Sequence, residues 1–93
     1  MIHDVAFAFT DADTTPSVLD WKFFGCANSG ATSITDFDDQ VEGQEILVRL
    51  DANTTVVHNT SFIRTITGAN ITGTSNMLVS FKSLSGVWLE MER

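Results

Sequence analysis

Apolar residues in this chain come in short alternating runs separated by Thr, Asn, Asp and Gly. Val5, Phe7 and Phe9 alternate with Ala6 and Ala8, a period of two that predicts a strand. The Asp/Thr-rich stretch from Asp11 to Pro16 ends it, since proline removes a backbone donor and these residues favour turns. Leu19, Trp21 and Phe23 alternate through Val18–Cys26 and predict a second strand, closed by Asn28, Ser29 and Gly30. Farther on, Ile46, Val48 and Leu50 share one face. So do Met77, Val79 and Phe81, while Val87, Leu89 and Met91 oppose Trp88, Glu90 and Glu92. Ser85-Gly86 between the last two runs is short enough for a hairpin. Gly43, Gly68 and Gly73 interrupt any period of 3.6, and Ser and Thr are poor in helix interiors. The acidic stretch Asp36 to Glu42 therefore reads as loop.

Ile34, Val56, Ile63 and Ile71 centre still shorter runs flanked by Thr, Ser and Asn. Brief strands of this kind need stacked coils or neighbouring chains to cover their inward residues. Their centres lie 22, 7 and 8 residues apart, which is no strict repeat. The expected fold is all-β, with short strands in a sandwich-like or partly intertwined arrangement, as one domain over residues 1–93.

Four of these runs are Thr32-x-Ile34-x-x-Phe37, Gly43-Gln44-x-Ile46, Asn53-Thr54-Thr55-Val56 and Gly86-x-Trp88-x-Glu90. Together they resemble a small β-rich module near the C-terminal ends of bacteriophage tail spikes and tail fibres. The resemblance runs over residues 28–93 and rests on many weak positions rather than one motif. It departs at Leu89, where the family usually has Tyr after the Trp, and residues 1–27 match less clearly. It implies a homotrimer in the virion, made in the host cytoplasm, that registers three chains and ends a fibrous or β-helical shaft at the site of host attachment. It leaves two alternatives open: a carbohydrate-binding tip, and part of a polysaccharide depolymerase or a self-cleaving chaperone.

Charge narrows the partners. Five Lys and Arg against twelve Asp and Glu give a net charge of −7, which disfavours the phosphate backbone of a nucleic acid and an anionic membrane surface. No run approaches the length of a membrane span, and no basic-plus-apolar leader opens the chain. Cys26 is the only cysteine, so no disulfide forms within the chain. Its setting, Phe23-Phe24-Gly25-Cys26-Ala27, is that of a small buried hydrophobe rather than a nucleophile, which wants a His and positive charge nearby.

Candidate chemistry is thin. Asp36, Asp38, Asp39, Glu42 and Glu45 offer oxygen ligands for a hard cation but lack the ordered loop of an EF-hand, and read as a solvated acidic loop. The pairs Asp36/Asp39 and Glu90/Glu92 would suit glycoside hydrolysis only at a defined separation. His3 and His58 fall in different runs, and His58 reads as a polar edge or seam residue. Asn53, Asn59 and Asn70 begin Asn-x-Ser/Thr tripeptides that Thr/Asn-rich corners produce readily. No catalytic residue, metal or cofactor is expected. The aromatic residues Trp21, Phe24, Phe62 and Trp88 are the candidates for function, as subunit anchors or as platforms for a sugar ring. A surplus of apolar residues in a small β domain favours the interface.

Overall fold

A computed structural model describes residues 6–93. Val5 and His3, and with them the start of the first expected strand, lie outside the described residues. Nine strands are described: β1 Phe7–Ala8, β2 Phe23–Gly25, β3 Thr32–Ile34, β4 Glu45–Leu50, β5 Thr54–Val56, β6 Ile63–Arg64, β7 Ile71–Thr72, β8 Met77–Leu84 and β9 Val87–Glu92. They form a six-stranded sheet in the order β1-β2-β4-β8-β9-β6 and a three-stranded sheet in the order β3-β5-β7.

The first half of the chain winds in stacked turns. β1, β2 and β4 lie parallel, with Phe7 beside Phe24 and Phe24 beside Val48. β3 and β5 are likewise parallel, with Ile34 beside Val56, and a third contact sets Ser17 parallel to Asp38. Each pass of the chain thus lies on the previous one along three lines, as in the coils of a β-solenoid. The 22-residue spacing of Ile34 and Val56 is a true coil spacing. Ile63 and Ile71 broke the pattern because they belong elsewhere: β6 pairs with β9, and β7 runs antiparallel to β5.

Side chains bind the coils together where the chain turns from one sheet to the other. Ser29 donates to Asp11 through both its backbone N–H and its hydroxyl, at 2.9 and 2.8 Å. The amide oxygen of Asn28 accepts from the Ala12 N–H at 2.9 Å, while the Asn28 N–H donates to Asp51 at 2.6 Å. Asn28 Nδ2 reaches the Thr54 hydroxyl at 2.7 Å, and Asn53 Nδ2 donates to the Asn28 carbonyl at 2.7 Å. Three successive corners are therefore one hydrogen-bonded column, which is why Asn, Asp and Ser recur there.

The second half closes the stack. β8 pairs antiparallel with the last coil strand β4, from Glu45–Lys82 to Leu50–Met77. It returns as β9 through a tight turn at Ser85 and Gly86, both at positive φ (55° and 80°), the conformation a two-residue hairpin requires. Gly73 marks a second special point. A Cβ there would sit 2.3 Å from the Asp51 carbonyl oxygen and 2.5 Å from that of Thr54, so only glycine lets β7 approach the β4–β5 corner.

Both sheets turn their inner side chains into one core, to which fourteen buried apolar residues among those described contribute, including Val18, Phe24, Ile34, Phe37, Val48, Val56, Ile63, Ile71, Phe81 and Trp88. Of the two expected ways to cover the inward residues of short strands, stacked coils or neighbouring chains, the described chain uses the first: stacking within one chain, with the hairpin beside it, buries them. The expected long strand over Val18–Cys26 fails: Leu19 and Asp20 form a turn with Asp20 at φ 64°, and only Phe23–Gly25 is strand.

Candidate functional site

The four candidate aromatics separate into two pairs. Phe24 is 1 % exposed and Trp88 is fully buried, so within this chain neither presents a face to a sugar or a partner. Trp88 lies edge-on to Phe37 at 5.7 Å, and its Nε1–H donates to the Phe37 carbonyl at 3.2 Å. Phe24 stacks on Phe9 at 5.0 Å. Alternation put both on inner faces, and one chain's core takes both. Trp21 and Phe62 remain at the surface. Phe62 is 46 % exposed beside the β6 edge. Trp21 is half-buried against Phe7, ring to ring at 4.9 Å.

Trp21 lines a groove of about 680 Å³ together with Asp20, Lys22, Glu42, Gln44 and Glu45. Two turns build it. The Leu19–Asp20 turn delivers Trp21 just before β2, and the turn at Glu42 and Gly43, with Gly43 at φ 83°, precedes β4. Gln44 ties the two by donating to the Val18 carbonyl at 2.9 Å, and its side-chain oxygen accepts from the Val41 N–H at 3.1 Å. An aromatic wall ringed by carboxylates, an amide and one ammonium is able to stack on a ring and hydrogen-bond its hydroxyls. It contains no nucleophile beside a base.

The remaining candidates disperse into structural roles. Asp36 accepts from the Phe37 N–H at 2.9 Å, and burial pushes its carboxyl above the usual range, with Asp38 adding to the effect. Asp39 accepts from the Ser17 hydroxyl at 2.5 Å. Among the described residues no three His, Cys, Asp or Glu side chains converge on a possible metal position. Glu90 and Glu92 part company: Glu92 is exposed and Glu90 points inward. Glu90 accepts from the Ile66 N–H at 2.8 Å and from Arg93 at 2.9 and 3.1 Å. Burial opposes its ionisation, but these bonds and the arginine's charge outweigh it and hold the carboxyl below its usual range.

His58 Nδ1 accepts from the Thr65 N–H at 3.1 Å. Asn53 belongs to the corner column, Asn59 accepts from the Ser61 N–H at 2.7 Å, and Asn70 accepts from the His58 N–H at 2.9 Å. Cys26 is buried and free. Desolvation pushes its thiol up to about 11, against a weaker opposing bond from Thr54.

Sequence reasoning named Trp21 but missed Asp20, Gln44 and the turn chemistry around it. The Asp20 and Gly43 positions were the available signal, since both types favour positive φ. Comparison with protein families, with curated proteins and with solved structures finds no match. The likeness to phage tail modules rests on the residues quoted above.

Proposed function

We propose that this chain is a structural module of a bacteriophage tail spike or fibre, which ends a β-helical shaft and takes part in homotrimer assembly at the site of host attachment. The observation that carries the reading is the parallel stacking of β1, β2 and β4 and of β3 and β5, closed by the antiparallel β8–β9 hairpin. Stacked coils meeting an antiparallel hairpin have the form of a shaft's end, since β8 and β9 break the parallel coil register and the two-residue β6 covers part of the β9 edge. Its work is assembly and not catalysis. Sedimentation equilibrium of the full chain at micromolar concentration should return three times 10.2 kDa. A single-chain mass would sink the trimer.

A second reading has one observation in its favour, the groove beside Trp21. There the module would hold a host glycan, an aromatic ring stacking on a sugar while Asp20, Glu42 and Gln44 take its hydroxyls. Trp21→Ala should then abolish glycan-array binding without changing the melting temperature by more than a few degrees. Binding that survives the substitution removes this reading.

A further inference from the structure

The face of the six-stranded sheet turned away from the core is unlike the rest of the surface. Strand alternation puts Leu47, Leu78, Leu84, Val87 and Leu89 on it, with Leu78 47 % and Leu84 39 % exposed. Its charges are Arg49, Lys82 and Arg64 against Glu45 and Glu92, and Lys82 already pairs with Glu45 at 3.4 Å. Arg93 is paired with Glu90. Elsewhere in the sequence Lys22 alone stands against nine carboxylates. An acidic protein has therefore gathered an apolar, slightly cationic surface on one sheet.

That surface is not flat. One hollow of about 350 Å³ is lined by Leu47, Leu78, Ser80, Glu92 and Arg93, and another of about 290 Å³ by Arg64, Leu84, Val87 and Leu89. The second sets Arg64 beside aliphatic side chains, which suits an apolar side chain followed by a carboxylate, whereas in the first Arg93 is already held by Glu90 and the aliphatic side chains are what it offers. Away from this face, two places in the described chain set a large exposed apolar side chain directly before a carboxylate. Leu19, 55 % exposed, precedes Asp20, and Val41, 62 % exposed, precedes Glu42. Asp20, Val41 and Glu42 line one groove, so the two turns stand side by side and can enter a partner together.

We propose that the outer face of the six-stranded sheet receives the Leu19–Asp20 and Val41–Glu42 turns of a second copy of this chain. The inference rests on the assembly reading above and names its contact. The contact is head-to-tail, because hollow and ridge are different surfaces, and such contacts close into rings when the rotation permits. Face-to-face pairing of two copies would instead set two surfaces of the same slight positive charge against each other.

The test uses the full chain. Leu19→Ser/Val41→Ser spoils the ridge and Leu78→Ser/Leu89→Ser spoils the face, and sedimentation equilibrium reads the mass of each alone and of their mixture. Each variant alone should be a monomer with a β-type circular dichroism spectrum. Mixed, they should form a one-to-one complex through the single intact ridge and the single intact face. Arg64→Glu, an exposed change that removes no core packing, should raise the dissociation constant of the unsubstituted assembly at least tenfold. A ridge or face variant that keeps the parent's mass, a mixture that stays monomeric, or an Arg64→Glu chain of unchanged affinity overturns the proposed contact while the assembly reading stands. A parent chain that is itself monomeric overturns both.

Discussion

The stacked half of the molecule, β1 to β5, and the hairpin half, β8 and β9, are both β structure, but different bonds hold them. The stack uses strands of two to six residues and ties successive coils with Asp11, Asn28, Asp51, Asn53 and Thr54 at the corners. The hairpin uses strands of eight and six residues, a main-chain ladder interrupted by one register shift at Ser80–Phe81, and one buried tryptophan. Short rungs gain little from their own ladders, so polar corner columns fix their register. Long strands fix it by alternation, since a one-residue slip would exchange their faces.

The largest expected break is in the hairpin. Trp88→Ala empties the centre of the core and leaves the Phe37 carbonyl without its donor, at a cost of about 3–5 kcal/mol. Urea denaturation should show loss of most of the fold, and an unchanged midpoint would mean that the hairpin packs independently of Phe37. Next comes the joint between the halves. Gly73→Ala forces a methyl into two backbone carbonyls, an overpacking worth about 1–3 kcal/mol. Hydrogen exchange should speed first at β5 and β7, leaving the β8–β9 amides slower.

Acid sharpens the comparison because each half has a partly buried carboxylate held ionised, Asp51 in the stack and Glu90 in the hairpin. Asp51 feels some desolvation, but bonds from Thr54, Asn28 and Asn53 keep its carboxyl below the usual range, as Glu90's partners do for the hairpin. A depressed native pKa makes each contribution complete above the ordinary value, 3.8 for Asp51 and 4.5 for Glu90. Each is lost as pH falls through the lower native value. Asp51→Asn should therefore flatten the loss of thermal stability below pH 4 and expose stack amides selectively, while Glu90→Gln does the same for β9. If both variants keep the parent's acid profile, the titrating groups lie elsewhere. The smallest effect is at the surface: Lys82→Ala, which breaks the exposed pair with Glu45, should cost less than about 1 kcal/mol, within a degree or two of the parent in calorimetry.

The same contrast governs what could be read from the residues alone. The faces of β4 and β8, those of β9 as far as Glu90, and the Ser85–Gly86 turn were legible, because alternating positions state their period; the expected grouping of Glu92 with Trp88 and Glu90 fails, since a bulge opposite Ser80–Phe81 turns Glu92 to the outer face. The stack was not. The alternation around Phe7 announced a strand where β1 lies, but not what it pairs with: the parallel partner of each rung lies about twenty residues away, beyond any local pattern. Leu19, Trp21 and Phe23 mimicked a strand because a turn at Asp20 happens to fall within an alternating run. The aromatic sites divided on the same ground: Phe24 and Trp88 sit at inner positions of paired strands, whereas Trp21 leads out of a turn and stays at the rim of a groove.

Cys26 gives the stack a built-in clock. The thiol sits at the end of β2, where its N–H donates to the Arg49 carbonyl at 2.8 Å and so belongs to the joint between two coils. Raised from 9.0 to about 11, it carries about a hundredfold less thiolate at neutral pH than an ordinary thiol, on top of being shielded. A disulfide reagent added to the intact protein would then wait for the coils to part. The rate of colour release would time their separation, in solution and without any attached label.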